Sequence, residues 1–195
     1  DETIDQVDYT SEGDWAARRI GPVLSGTRGW IWSAPHDGAG MSLELIDPRS
    51  RNDRGQSWGS SAISGGSPGM VNSIANDNIA PLISGVRHFP AAPSPAESVT
   101  IQATVTDRLS PQVAVSLRYR VSVLGASASR RFETSPMFDD SAHNDGNSSD
   151  GQFAAILPPF ADGTVIEFYV EASDGASTRT WPAASDDAGQ QAANA

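Results

Sequence analysis

The feature that most constrains this chain is the alternation of Val113, Val115, Leu117, Tyr119, Val121 and Val123 with Ala114, Ser116, Arg118, Arg120 and Ser122. In an extended backbone successive side chains point to opposite faces, so this spacing gives one apolar and one polar face. A helix cannot gather such a row on one side, because its period is 3.6 residues. A long half-buried strand needs partners beside it and a second apolar layer over it. Two further rows supply them. Val99, Ile101, Ala103 and Val105 alternate with Thr100, Gln102, Thr104 and Thr106, and Ile166, Phe168, Val170 and Ala172 alternate with Glu167, Tyr169 and Glu171. A further strand is read around Leu82–His88, and Phe132–Phe138 and Gln152–Leu157 are weaker candidates. Turn pairs separate them at Leu124-Gly125, Asp145-Gly146, Asp150-Gly151, Asp162-Gly163 and Asp174-Gly175. Short strands at this spacing predict an all-β sandwich over residues 77–184.

The preceding residues have a different texture. Trp15, Trp30, Trp32 and Trp58 lie there among short apolar pieces and Gly/Ser/Asp loops. The stretch Asn72–Ala80 is polar and without a sustained period, so it reads as a linker before Pro81 opens the second segment. Within Gly40–Asn72, Ser42-Leu43-Glu44 runs to Asp47-Pro48, then through an Asn/Asp-rich loop to Trp58 and the turn Gly66-Ser67-Pro68-Gly69. This arrangement resembles the closing segment of a bacterial lamin-tail domain. That family is a non-catalytic, immunoglobulin-like sandwich carried as one module of long secreted or surface proteins.

The resemblance implies that residues 1–76 are a partial lamin-tail-like β domain. The family's opening strands, with their W-x-E-[LI]-x-N signature, have no counterpart here. Asp1–Tyr9 would correspond to a mid-domain strand, with Val7 and Tyr9 on one face. A complete immunoglobulin-like sandwich takes about 100 residues. Residues 1–76 are therefore expected to form an incomplete sheet with an exposed edge or apolar face, and the chain to be a fragment of something longer.

A second resemblance covers the strand-rich segment. PLISGVRHFPAAPSPAESVTIQATVTD, LRYRV, MFDDSAHNDGNSSDGQFAAILP and GTVIEFYVEASDG together look like the immunoglobulin/fibronectin-III-like modules that often follow lamin-tail domains. Ile166 stands where a fibronectin-type corner Tyr is expected, so the hydroxyl that ties that corner is missing. The expected fold class is all-β: an immunoglobulin-like β-sandwich, with one complete module preceded by a partial one. Residues 185–195 are expected to be a flexible tail.

Charge narrows the partners. The formal net charge is -11, and all 13 cationic residues are Arg. An acidic surface repels phosphate backbones and anionic lipid, so nucleic acid and direct membrane insertion are not expected. No run approaches the roughly 18 apolar residues of a membrane span. The chain contains no Cys, which removes disulfides, thiol nucleophiles and thiolate metal sites.

Candidate chemistry is sparse. Gly65-Gly66-Ser67-Pro68-Gly69 matches the G-x-S-x-G pattern of a nucleophile elbow. The residue after that serine must donate a backbone N–H to the oxyanion, and Pro68 has none. It reads as a turn. His36, His88 and His143 are far apart and in no metal-binding spacing, and there is no phosphate loop. Glu167 and Glu171 share the outer face of a strand and read as solvated acids. The loop Phe138–Gly151 is the one segment with the donors for a cation. Asp139, Asp140, Asp145 and Asp150, with Asn144 and backbone carbonyls, could furnish the six to eight oxygens that calcium takes. Their spacing is not that of an EF-hand, and Asp-Gly pairs also serve ordinary hairpins. Trp30 and Trp32, two apart on a strand, face the same way, either to cover a core or edge or to stack on sugar rings.

The expected function is a non-catalytic structural or interaction module of a secreted or cell-surface protein, with no cofactor unless calcium binds. Its expected partners are other domains of the same polypeptide and a protein or glycan ligand. The alternatives are a carbohydrate- or calcium-dependent adhesion module, and an accessory region of a larger enzyme whose catalytic domain lies elsewhere.

Overall fold

The computed structural model describes residues 5–24, 27–123 and 131–183. The backbone is nearly all β, in antiparallel sheets of which none closes into a barrel, as the alternating rows require. It divides into two compact units, and the chain passes from the first to the second between Ile79 and Ala80. The expected tail at 185–195 and the turn at Leu124-Gly125 lie outside the described residues.

The first unit holds two separate ribbons. Strands β1 (Ala17–Leu24) and β2 (Thr27–Ser33) pair antiparallel, with a bulge between Ile20 and Val23 where Gly21-Pro22 interrupts the ladder. Strands β3 (Leu43–Leu45) and β4 (Trp58–Ser60) form a short antiparallel ladder. Ile46 N–H donating to Ser57 O and Ser61 N–H donating to Ser42 O extend it at both ends. Single 3-10 turns lie at Gly13–Trp15 and Gly55–Ser57. Among the described residues no second sheet closes this unit into a sandwich, and Tyr9, Ile31, Ile63 and Val71 remain exposed.

Two expectations for this unit need correction. Residues 5–10 carry no strand. The acidic side chains there take local partners, with Asp5 accepting from Gln6 N–H and Asp8 from the Gln6 amide, and Tyr9 is exposed. The stretch read as a linker is also built in up to Asn76. Asn72 Nδ2 donates to Leu45 O at 2.9 Å, and Asn76 N–H donates to Ile46 O at 2.9 Å. The Asn72 side chain and the Asn76 backbone thus satisfy carbonyls of β3 and its extension.

The second unit contains the clean strands. Strands β5 (Leu82–Phe89), β6 (Val99–Thr106) and β9 (Gln152–Leu157) make one sheet in the order β5-β6-β9. Strands β7 (Ala114–Val123), β8 (Glu133–Met137), β10 (Thr164–Ser173) and β11 (Thr178–Trp181) make the other, ordered β11-β10-β7-β8. Between the sheets Ile83, Ile101, Ala103, Val105, Val115, Leu117, Met137, Leu157, Val170 and Ala172 form one buried cluster. These are largely the inward rows read from the alternation. Fully burying a side chain the size of Leu or Ile contributes about 1.5–3 kcal/mol, so a cluster of this kind dominates the unit's stability. β8 runs along a sheet edge and carries Pro136, a residue that edge positions tolerate. β11 was not read from sequence; four residues ending at Trp181-Pro182 are too short to show a period.

Candidate functional site

The Asp-rich loop leaves β8 at Phe138 and returns to β9. Phe138 and Ala154 exchange both backbone hydrogen bonds, at 2.8 and 2.9 Å, which closes the loop at its base. Inside it each of the four acids holds backbone. Asp145, 1% exposed, accepts from the N–H groups of Asp140 and Ser141 on Oδ2 and of His143 on Oδ1. Asp139 accepts from Asp150 and Gly151 N–H, and Asp150 from Asn147 and Gln152 N–H. Asp140 takes Ala142 N–H and His143 Nδ1, the latter at 2.9 Å. Burial pushes the Asp145 carboxyl up, but the N–H donors outweigh it and hold the group below the usual carboxylate range. Asp140 is lowered chiefly by the His143 ring. The loop thus brings the four acids close along the chain while turning each toward its own amides. Among the described residues no three His, Asp or Glu side chains converge as a metal cage.

The Ser42–Asp47 segment carries buried acids instead. Glu44, on β3, is 4% exposed and Asp47 is 1% exposed. Glu44 Oε1 accepts from Ser67 Oγ at 2.6 Å, and Oε2 from Ser73 Oγ at 2.7 Å and from Ile74 N–H at 3.4 Å. The Ser67 hydroxyl is the main cause that lowers the Glu44 pKa. Asp47 Oδ1 accepts from Arg49 N–H and Nε, while Oδ2 accepts from Ser50 Oγ at 3.3 Å. The serine of the G-x-S-x-G turn is therefore a donor that locks that turn onto β3, with Pro68 behind it. An acid flanked by Leu43 and Leu45 was the sequence signal for this cage.

A concave feature of the first unit lies where the two 3-10 turns meet. Gly55 permits that meeting, since a Cβ there would stand 2.7 Å from the Asp14 carbonyl carbon. Gln56 Nε2 donates to Asp14 Oδ2 at 2.7 Å and ties the turns together. A cleft of about 510 Å³ opens beside them. Trp15 and Trp32 line it, together with Glu12, Asp14, Asp53 and Arg54. Behind the cleft, Trp15 packs at 6.4 Å from both Trp58 and Tyr9, and Trp58 Nε1 donates to Asn52 O at 2.8 Å. Asp53 pairs with Arg51 at 2.5 Å, whose hydrogen bond is the first cause lowering its pKa.

The tryptophan pair divides between two environments. Trp32 is half-buried at the cleft. Trp30 is 48% exposed, with the Arg18 guanidinium 4.1 Å from its ring centroid. Neither ring is in a buried core. The residues that accompany Trp32 in the cleft come from two separated stretches, 10–15 and 53–55, and nothing in their local sequence pairs them.

Elsewhere in the second unit the reactive groups have local tasks. On the outer face of the four-stranded sheet Arg118 pairs with Glu171 at 2.6 Å and Arg120 with Glu167 at 2.7 Å, so these acids are ion-paired and not simply solvated. Arg120 also lies over Phe132. His88 Nδ1 lies 3.2 Å from Pro90 O, and His143 stacks on Phe138 at 4.3 Å. In the first unit His36 Nδ1 sits 3.0 Å from Ser60 Oγ. A second cleft, of about 430 Å³, lies under Phe89 and Pro90. Its Glu97 carboxylate accepts Ser94 N–H, and the Asn144 amide reaches Thr100 Oγ1. Comparison with family models, with curated proteins and with solved structures gave no match to this chain.

Proposed function

We propose that this chain is a non-catalytic structural or interaction module of an exported or cell-surface protein. One observation carries the reading: Ser67 and the four acids of the Asp-rich loop are engaged in hydrogen bonds that hold the fold. Ser67 is bound to the buried Glu44, and the four loop acids cap their own amides. A nucleophile needs a base within hydrogen-bond reach and an oxyanion donor, and Pro68 removes that donor from Ser67. The three-plus-four strand order of the second unit supports a fibronectin-III-like reading of residues 77–184. The Ser42–Pro48 segment, bound to the Gly66–Gly69 turn through Glu44, supports reading residues 1–76 as the closing part of a lamin-tail-like domain.

Two measurements test this. The full chain, incubated with chromogenic ester, phosphate and glycoside substrates, should turn over none above the buffer blank. Turnover that Ser67→Ala abolishes would overturn the reading. Surface placement is tested by adding protease to intact source cells, where cleavage of this chain before lysis is the expected result. The hydrogen bonds from loop amides to Asp139, Asp140, Asp145 and Asp150 support reading these acids as structural. Calorimetric titration with calcium chloride should give no saturable heat, and a saturable signal lost in Asp140→Asn would restore the loop as a calcium site.

An adhesive role has its own support. Trp30 and Trp32 are not in a core, and Trp32 borders a cleft with polar groups.

A further inference from the structure

The Trp15–Trp32 cleft is a mixed site, and the mixture narrows what fits it. Its volume of about 510 Å³ falls within the roughly 300–1,000 Å³ of small-ligand sites. The two indoles offer large, rigid surfaces with electron-rich faces. Glu12, Asp14 and Asp53 are hydrogen-bond acceptors, whereas Arg54 is purely a donor and the Thr10 hydroxyl is both. A cationic ligand would be drawn by the rings but would meet acids already engaged, Asp14 by Gln56 and Asp53 by Arg51 and Arg54. An anion would meet three carboxylates on a chain of net charge -11. A purely apolar ligand would leave charged groups desolvated and unpaired.

A sugar matches every part. Its hydroxyls both donate and accept, so they can serve carboxylates and guanidinium together. Its C–H face is apolar and weakly positive, complementary to an indole face. The site is also braced from behind. Trp58 and Tyr9 back Trp15, and the buried Gln56 holds Asp14. Trp30 continues the same face of β2, about 7 Å further along the strand, and is half exposed.

We propose that this cleft binds a neutral, hydroxyl-rich oligosaccharide, with one sugar ring on Trp32 and the chain continuing over Trp30. The proposal rests on the non-catalytic reading above and names the ligand class for it. The probes are cellohexaose, mannohexaose and the hexamer of N-acetylglucosamine, titrated into the full chain by tryptophan fluorescence and calorimetry. At least one should saturate, and Trp32→Ala should weaken it by about tenfold or more. Glu12→Gln alters an exposed side chain and guards against misfolding; it should also weaken binding while the melting temperature holds. Binding of none of the three up to about 10 mM would overturn the proposal. So would binding that both variants leave intact, or saturation by a tetra-arginine peptide with no response to sugar. Chromatography of the sugar after incubation separates the two readings. Shortened chains would keep the site and defeat the non-catalytic reading, whereas absent binding would defeat the site alone.

Discussion

At the residue scale, the first unit depends on a few side chains and one glycine with no side chain at all. Gly66 has φ of +74°, and a Cβ there would lie 2.3 Å from Ser42 Oγ. Gly65 has a similar φ of +83° but open space around it. Ala at Gly65 should therefore cost only the left-handed backbone penalty, about 1 kcal/mol, while Ala at Gly66 should cost about 2 kcal/mol or more. Urea unfolding of both variants checks the difference, and equal losses would refute the clash. Ser57 poses the opposite case. Its Oγ is buried and, among the described residues, is the one such side-chain atom without a hydrogen-bond partner. Removing an unsatisfied hydroxyl relieves a desolvation cost, so Ser57→Ala should be neutral or stabilising by up to about 1 kcal/mol. A loss of more than that in the same assay would mean the hydroxyl has a role. Neither effect is legible in sequence. Gly65 and Gly66 look alike on the page, and only the position of Ser42 separates them.

At the scale of elements, the second unit shows how far period alone carries. Val115, Leu117, Val170 and Ala172 were placed inward by alternation, and they are buried. The residues opposite them are not interchangeable polar positions, because the β7–β10 register sets their partners. That register aligns Arg120 with Glu167 and brings Arg118 to Glu171. A double-mutant cycle on Arg118 and Glu171, both about one-third exposed or less, should return a coupling of about 0.5–1 kcal/mol. It should shrink when salt is raised to about 1 M, where the Debye length is roughly 3 Å. A coupling of zero in low salt would make the pair incidental. Sequence shows that these four charges share a face, but pairing requires knowing which strand lies next to which. β1 and β11 were missed for related reasons. One carries a Gly-Pro bulge and the other is too short for a pattern, so tertiary pairing and not local period defines them.

For the whole molecule, the acids that sequence counts only as negative charge become structural members. Glu44, Asp53, Glu97, Asp140, Asp145 and Glu167 all have pKa values held below their ordinary range. A carboxyl lowered in the folded state contributes stability that is present above its unfolded value, near pH 4. That contribution is lost as pH falls through the folded value. The melting temperature should therefore be level above about pH 5 and fall steeply below about pH 4. A flat profile across that interval would show that these hydrogen bonds do not favour the charged forms. The sequence by itself determined the all-β class, the inward rows of the second unit and the absence of a backbone N–H donor directly after Ser67. Those follow from the two-residue period of an extended chain and from the missing N–H of proline, which are local facts. Only the tertiary structure decided that Glu44 and Asp47 are buried, that the Asp-rich loop caps itself, and that Trp15 and Trp32 share a cleft with Glu12 and Arg54. The Glu44 cage and the cleft depend on groups distant in sequence meeting within hydrogen-bond or van der Waals reach. The caps of Asp47 and of the loop depend on backbone turns, and no two-residue period encodes either dependence.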